Sequence, residues 1–498
     1  MNLNRSVGIK QNINVFKNVH LNMIVSVLIL LFLLTFYIFI SKEMDNFAIN
    51  QKSLVDIFNV FLIFVYGWAM VSWVKVNGNF VSLYFFFLIY CFFSNAGQTF
   101  LQLFDFQNYG VVNIYSQYDS NVILKMLTFQ SISIMMLHSG AILFSYIKSN
   151  IRTKTTDNEK IPIITILGRR KPSAGDILFW VFSIYLSIIY IREVLVRSNY
   201  SYGDYYYLMR DSAPTFLLMG FHIMMYWYYL RNDYKYSKKQ VYLVGIIVAS
   251  LMLLVGSRAM VIPVIFGLLF IKKTISPNFL ISRRKIFLYS IIAILSLVIL
   301  GGLHDLRQYS LSSLNLETIM NVYRNGIING IGDTIQEMGG SARTIIVTIN
   351  QIDSSSVNSE MTIGYALLKG MIPTFILNSL GIIPPNIESL GDWITNVGGS
   401  KSGWGYSIIA EAYFNFQYYG FIFLGIYGFI LVFLESLVIK WIHEKKYLIA
   451  SALTYCLAYQ IFLAREEMIL LQSRMRLCIY IVIIYFMYSK LVRNKFHD

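Results

Sequence analysis

The feature that most constrains this chain is a series of long apolar segments without a single charged residue. Ile24 to Ile40 and Ile286 to Leu300 are examples, and each approaches the roughly 20 residues that an α-helix needs to cross a bilayer. Only 13% of all residues are charged, about half the share that is usual in a soluble domain. These segments exclude a cytosolic enzyme, a disordered chain, a disulfide scaffold and the short alternating strands of an outer-membrane barrel. The sequence therefore predicts an all-α polytopic integral membrane protein.

Hydropathy predicts about twelve transmembrane helices with the N- and C-termini in the cytoplasm. This orientation places 26 of the 41 Lys and Arg residues in inner loops, as the positive-inside rule requires. Because these residues separate the apolar segments instead of forming one patch, the net charge of +15 predicts no nucleic-acid partner. The predicted spans lie near 20–40, 54–74, 80–103, 122–147, 177–196, 214–230, 240–256, 259–271, 286–302, 419–439, 448–464 and 475–490.

One apolar stretch, residues 240–271, decides the topology. It is interrupted only near Ser257 and Arg258, and two crossings joined by an outward-facing hairpin keep the basic residues after it inside. The predicted organisation has three parts. Nine spans with short loops occupy 1–302, a large extracytoplasmic loop that is partly helical and membrane-adjacent occupies 303–418, and three spans occupy 419–498. Within the outer loop, 363–380 is apolar enough to lie along the membrane surface.

The basic residues that remain outside are mostly arginine, with ten arginines to five lysines. A guanidinium group can grip phosphate or carboxylate at two points, whereas an ammonium group is a point charge. Arginines kept against the orientation rule therefore predict an anionic ligand near the outer membrane surface. The alternative is that they reach for the membrane surface or pair with acidic residues. The ten are Arg192, Arg197, Arg210, Arg258, Arg307, Arg324, Arg343, Arg465, Arg474 and Arg476.

The hairpin contains the first candidate anion site. Ser257 can cap the helix that follows it, so that the helix N-terminus and Arg258 would form a cradle for a diphosphate. The alternative is a capped hairpin whose arginine has no ligand. In the outer loop, His304 and Arg307 lie where a span emerges, and Arg343 follows a pair of glycines.

A second candidate site is a polar stripe in the segment 402–416. If the segment is helical, Ser407, Glu411 and Asn415 lie on one face, because residues four apart are neighbours on a helix. Apolar surroundings would make this carboxylate a better proton acceptor, as a general base requires. The alternative is a structural glutamate paired with one of the arginines.

A third candidate site is the outer turn before the last span. On a helix, Arg465 and Arg476 would share a face and could grip an anion together. The alternative is that Glu466 and Glu467 neutralise them. Elsewhere, aromatic residues could stack on sugar rings or form an aromatic belt at the membrane surface; the candidates for sugar binding are Tyr205, Tyr206 and Trp404. No set of residues has the spacing of metal ligands, so we expect no metal site.

Two of these segments resemble a known family. Leu254 to Met260 resembles the "GSR" hairpin of Wzy-type bacterial polymerases, which assemble O-antigen and capsule repeat units. Gly403 to Phe416, continuing to Gly420, resembles their "iaEay.NfG..G" segment, with Gln417 standing where the pattern leads us to expect glycine. The plan of the whole chain, with many spans and one large outer loop late in the sequence, is also similar.

The resemblance implies glycosyl transfer on the outer face of the bacterial cytoplasmic membrane. A growing glycan would leave its undecaprenyl diphosphate carrier and join the non-reducing end of the next lipid-linked repeat unit, giving O-antigen, capsular or exopolysaccharide. The fold would be similar to the GT-C class, without a cofactor, and the partners would be undecaprenyl-diphosphate-linked oligosaccharides, membrane lipids, a chain-length regulator and a flippase. The implied roles are diphosphate binding by Arg258, Ser257, Arg307 and Arg343, a second anionic grip by Arg465 and Arg476, a base or acceptor-orienting group at Glu411, and a substitute base at His304.

Two other classes of protein remain as alternatives. An O-antigen ligase or a polyprenyl-linked sugar transferase would share the arginine sites, and the second would use the acidic pair Glu43 and Asp45. A lipid-linked oligosaccharide flippase or other transporter would carry charges in the middle of several spans. The charges here collect at the outer rim, which favours an enzyme.

Overall fold

The computed structural model describes residues 19–38, 51–104, 114–154, 174–200, 215–232, 235–255, 261–276, 327–354, 360–387, 389–398 and 405–495, together with Asn315, Glu317 and Met320. Within these ranges the chain is helical and contains no strand. The helices are α1 (Val19–Ile38), α2 (Gln51–Asn77), α3 (Leu83–Leu103), α4 (Ile114–Gln117), α5 (Ser120–Lys154), α6 (Ala174–Arg197), α7 (Thr215–Arg231), α8 (Lys235–Val255), α9 (Val261–Ile275), α10 (Ile327–Met338), α11 (Ser341–Asp353), α12 (Thr362–Met371), α13 (Thr374–Ser379), α14 (Leu390–Val397), α15 (Ile408–Phe416), α16 (Gly420–His443), α17 (Tyr447–Tyr459) and α18 (Met468–Lys495).

The predicted class of polytopic helical membrane protein is confirmed. In the part of the chain that the structure describes, nine helical segments are long and apolar enough to cross a membrane. Two further predicted spans correspond to shorter helices, α7 with 17 residues and α9 with 15. The predicted span at 286–302 lies outside the described residues. The count of twelve and the cytoplasmic termini stay predictions.

Helices α8 and α9 lie side by side and do not form one continuous helix. A Cβ atom placed on Gly245 would lie 3.4 Å from Cγ1 of Val264 and 3.9 Å from Cδ1 of Leu268. In a straight helix, residues 245 and 264 would be about 28 Å apart, because each residue adds about 1.5 Å. Residues 235–255 and 261–275 therefore form two separate helices, as the two-crossing interpretation requires. The hairpin itself, with Ser257 and Arg258, lies outside the described residues.

The chain forms two compact units that are not contiguous in sequence. One unit comprises 1–159, 335–436 and 460–476, and the other comprises 160–334, 437–459 and 477–498. The three parts predicted from the sequence were defined by their position relative to the membrane, which these units do not test. They stay a prediction. All candidate site residues that the structure describes belong to the first unit.

In the first unit, glycines allow helices to touch backbone to backbone. A Cβ atom on Gly140 of α5 would lie 1.9 Å from the carbonyl oxygen of Gly425 in α16, and one on Gly428 would lie 2.0 Å from that of Leu137. Small residues at such crossings are typical of membrane helices, where close van der Waals packing drives association. This crossing fixes α16, and the chain leads directly into it from α15.

A second close crossing fixes the turn between α10 and α11. A Cβ atom on Gly97 of α3 would lie 2.8 Å from the carbonyl oxygen of Ile335, and one on Gly339 would lie 2.6 Å from the amide nitrogen of Gln98. No side chain fits at either position. The turn that precedes α11 is therefore held against α3.

We expect Gly140→Ala to destabilise the protein by roughly 1–3 kcal/mol, because the added methyl group must push α5 and α16 apart. Gly67→Ala is the matched control, since nothing lies within 4 Å of the Cβ position at Gly67 in α2. Thermal unfolding in detergent, followed by size-exclusion chromatography, would measure both. An equal melting temperature for the two variants would contradict the close crossing.

Candidate active site

The polar stripe predicted in the segment 402–416 is confirmed as one face of a helix. Ser407 is the N-cap of α15, with φ −141°, and its Oγ accepts a hydrogen bond from the amide of Ile409. Glu411 and Asn415 follow at four-residue spacing, and Nδ2 of Asn415 donates to the carbonyl oxygen of Glu411 over 2.8 Å. All three polar side chains are buried. Their hydrogen-bonding groups therefore face other buried parts of the protein.

Glu411 binds the start of another helix. Its side chain is 1% exposed, and Oε2 accepts a 2.8 Å hydrogen bond from the amide of Met468, the first residue of α18. Oε1 accepts a longer one, of 3.5 Å, from Oγ1 of Thr362 at the start of α12. The first amides of a helix have no partner within it, so a buried carboxylate can satisfy them. The alternative interpretation, in which Glu411 pairs with an arginine, is not what the described residues show.

Asn415 extends the same contact. Its Oδ1 accepts from the amide of Ile363 over 3.0 Å, and its Nδ2 donates to Oγ1 of Thr362 over 2.8 Å. Glu411 and Asn415 together hold the N-terminus of α12. Helix α15 is thus the element on which two other helices are positioned.

Glu467 binds the N-terminus of α14 in a similar way. Its side chain is 3% exposed, and its carboxylate accepts hydrogen bonds from the amide of Leu390 (2.6 Å), the amide of Gly391 (3.3 Å) and the hydroxyl of Ser389 (3.0 Å). Burial raises the pKa of Glu467 to about 7, although these three donors oppose the shift. The carboxylate therefore serves the N-terminus of α14 and does not neutralise an arginine.

The structure brings together the second and third sites predicted from the sequence. The amide of Tyr406 donates to the carbonyl oxygen of Arg465 over 3.0 Å. Gly405 beside it has φ +70°, and a Cβ atom there would lie 2.7 Å from the same oxygen. From α3, Asn95 accepts from the Ser407 hydroxyl (2.8 Å) and donates to the carbonyl oxygen of Ala464 (3.0 Å). The turn that carries Arg465 is therefore held on two sides.

Arg465 lies in this turn, before α18 begins, so the expectation that it shares a helix face with Arg476 is wrong. Glu467 binds the start of α14, and Arg465 has no hydrogen-bond or ion-pair partner for its guanidinium group among the residues that the structure describes. Arg476 donates from Nη2 to the carbonyl oxygen of Lys369, at the end of α12. Its Nε is buried without a hydrogen-bond partner. Neither arginine has a carboxylate partner in the described part of the chain.

Arg343 lies in the first turn of α11, where burial lowers the pKa of its guanidinium group. A guanidinium group stays charged at neutral pH even so. Helix α11 reaches the site through Thr348, whose Oγ1 lies 2.7 Å from the Tyr406 hydroxyl. The other predicted site residues lie outside the described residues, and their roles stay predictions: Ser257, Arg258, His304, Arg307, Tyr205, Tyr206 and Trp404.

Sequence reasoning missed Asn95 and Thr362, which connect the elements of the site. Asn95 had a visible signal, because 94–99 is a run of small and polar residues inside a predicted span, and polar groups in a span need partners. It also missed Asp353, whose Oδ2 lies 2.9 Å from Nζ of Lys125 and whose Oδ1 accepts from the Tyr413 hydroxyl over 2.6 Å. Lys125 in α5 thus has a partner at the end of α11.

Gln417 adopts the backbone conformation of a glycine. It follows α15 with φ 50° and ψ −131°, a region that L-residues with a Cβ atom rarely occupy. The turn is tight, because a Cβ atom on Gly420 would lie 2.4 Å from the carbonyl oxygen of Ala412. The turn expected from the glycine pattern is present here, although the residue is glutamine.

Gln417→Gly should stabilise the protein by about 1 kcal/mol, since glycine adopts this conformation without the cost that a Cβ atom imposes. Gln417→Ala is the matched control, because it removes the same side chain but keeps Cβ. The melting temperatures of the purified variants would test this. A glycine variant no more stable than the alanine variant would show that the turn carries no strain.

A comparison with known proteins shows the family of this chain. The family model described as O-antigen polysaccharide polymerase Wzy matches residues 22–495, nearly the whole chain. No curated protein and no solved structure matches the chain. The matched range includes every helix of the site and the segments that resembled this family. The chain belongs to the O-antigen polysaccharide polymerase Wzy family.

Proposed function

We propose that this polymerase transfers a growing glycan from its undecaprenyl diphosphate carrier to the next lipid-linked repeat unit, on the outer face of the bacterial cytoplasmic membrane. Membership of the family supports the polymerisation of repeat units. The observation that carries the more detailed mechanism is the pair Arg465 and Arg476, which have no carboxylate partner among the described residues. An uncompensated guanidinium group next to a membrane span suits a phosphate ligand.

In this reaction the bond between the anomeric carbon of the growing glycan and the carrier diphosphate breaks. A new bond forms from that carbon to a hydroxyl oxygen at the non-reducing end of the acceptor, and the proton of this hydroxyl would pass to a base, for which Glu411 is the first candidate and His304 the substitute. Negative charge develops on the leaving diphosphate, and fixed cations stabilise such charge best when the protein already holds them in place. Guanidinium groups would supply this charge, so we propose a metal-independent glycosyltransferase.

The donor diphosphate would be bound by Arg258, Ser257, Arg307 and Arg343, and a second anionic grip would be formed by Arg465 and Arg476. Two lipid-linked substrates each bring a diphosphate, which gives both grips a ligand. Tyr205, Tyr206 and Trp404 would contact sugars. A flippase would supply the lipid-linked unit, and a chain-length regulator would act on the product. These roles come from the family resemblance and the residue chemistry.

Arg465→Gln should lower polymer formation by about 100-fold, a typical cost of removing one positioned donor to a developing negative charge. Arg465 is the sharper target, because the Arg476 side chain also bonds the end of α12. A gel of the surface glycan from a deletion host that expresses each variant would measure this. We expect a single repeat unit on the final acceptor in place of a ladder.

Lys440→Gln is the control, since it removes an exposed cation on α16 whose side chain is 66% accessible. It should leave the ladder intact. Membrane levels of each variant must be equal by immunoblot. A normal ladder from Arg465→Gln would remove Arg465 from the mechanism, and loss of the single repeat unit as well would indicate a flippase or an early transferase.

The variant Glu411→Gln tests whether Glu411 is the general base or only holds the start of α18 in position. If Glu411 only positions the turn, glutamine keeps an acceptor oxygen for the Met468 amide, and most activity should remain. If Glu411 is the base, the variant should fold normally but lose polymer formation, because an amide cannot accept the proton. Glu411→Ala should unfold the site in either case. Polymer yield and melting temperature, measured together, separate these outcomes.

A further inference from the structure

Residues 371–383, at the end of α12 and after it, form an exposed apolar segment in the first unit. No residue from 370 to 387 is charged. The residues Phe375, Leu380 and Ile383 are 70%, 64% and 84% exposed, and Met371 is 53% exposed. Water-facing surfaces rarely carry such a concentration of large apolar side chains. The segment therefore needs an apolar environment.

The segment has one face against the protein and one face away from it. On α12, Ile363 and Ala366 are buried, whereas Leu368 and Met371 are exposed. On α13, Leu377 is fully buried beside the exposed Phe375. An apolar exposed face of this kind is typical of helices that lie in a membrane interface. The buried Leu377 attaches the segment to the rest of the protein. The exposed residues therefore belong to a packed segment and not to a loop that extends away from the protein.

The end of α12, where the segment begins, packs against a candidate membrane span. A Cβ atom on Gly370 would be 3.6 Å from Cα of Gln472 and 3.8 Å from Cβ of Met475. Both residues belong to the span that begins at Met468. Gln472 is four residues into that helix, about 6 Å along its axis. The end of α12 therefore packs against the first turns of a span, where a lipid environment begins.

Charged groups mark one border of the exposed segment. Nζ of Lys369 lies 5.6 Å from the centre of the Tyr365 ring, and Arg476 donates to the carbonyl oxygen of Lys369. Lys, Arg and Tyr side chains collect at the head-group level of membranes, since they combine an apolar stem with a polar tip. This border is adjacent to Met371, where the uncharged residues begin to be exposed.

We propose that residues 371–383 insert into the bilayer and that phospholipid acyl chains cover Met371, Phe375, Leu380 and Ile383. Lys369 and Arg476 would then lie at the head-group level. The predicted topology makes this the extracytoplasmic leaflet. Insertion would keep Arg476 at the depth of a lipid-linked diphosphate, a consequence that rests on the proposed function. The insertion itself does not depend on that function.

A fluorescent label tests the insertion directly. NBD would be attached to cysteine in Ile383→Cys and Phe375→Cys, with Asn396→Cys as the control at an exposed polar position of α14. The three native cysteines are buried and should not react. Each labelled full-length protein would be reconstituted in vesicles of phosphatidylcholine and phosphatidylglycerol without polyprenyl lipid. Size-exclusion chromatography before reconstitution would confirm that each is folded.

We expect blue-shifted emission at positions 375 and 383, with strong quenching by doxyl-labelled phospholipid and weak quenching by aqueous iodide. Position 396 should show the reverse pattern.

The proposal would be overturned if iodide quenched the label at positions 375 and 383 as strongly as the label at position 396. If the same cysteine variants, expressed without a label in the deletion host, still restore the glycan ladder in that case, insertion alone has failed and the polymerase function stands. Weak lipid quenching in these vesicles, with a blue shift that appears only when polyprenyl phosphate is added, would show that the carrier, and not bulk phospholipid, covers the segment, and would overturn the choice of occupant.

Discussion

The site depends on buried carboxylates that satisfy the N-termini of helices. The first amides of an α-helix have no partner within the helix, and leaving them buried without one costs free energy. Glu411 accepts from the first amide of α18, and Glu467 accepts from the first two amides of α14. In each case the positive end of the helix dipole also favours the negative charge. These contacts fix where α14 and α18 begin, and therefore where the turn between 464 and 468 lies.

Among the described residues, that arrangement leaves Arg465 without a counter-charge. Glu467 is two residues away in sequence, yet its oxygens face α14. The turn itself is held by backbone contacts, from Tyr406 to the carbonyl of Arg465 and from Asn95 to that of Ala464. The backbone that carries the guanidinium group is thus held in place by the protein itself, as the proposed binding of a diphosphate would require. Fixed positive charge stabilises a developing negative charge without paying for reorganisation during the reaction.

Local patterns predicted the elements of the fold but not their partners. Apolar length predicted the class of membrane protein, and four-residue spacing predicted that Ser407, Glu411 and Asn415 share a helix face. The same spacing carries no information on what that face contacts. Asn95 is 312 positions from Ser407, and no local signal joins them. The short distance between Arg465 and Glu467 in the sequence suggested an ion pair. In the structure, the Glu467 carboxylate binds the N-terminus of α14 instead.

The resemblance to the family and the packing of the helices explain the turn at Gln417 together. Helix α16 cannot move relative to α5, since Gly140, Gly425 and Gly428 already bring the two backbones into contact. Helix α15 cannot move either, because its polar face is bonded to α3, α12 and α18. The three residues between them must therefore complete a turn of fixed geometry, whatever their side chains. A strained conformation persists where its surroundings determine it, so glutamine can stand where the pattern has glycine without altering the position of Glu411.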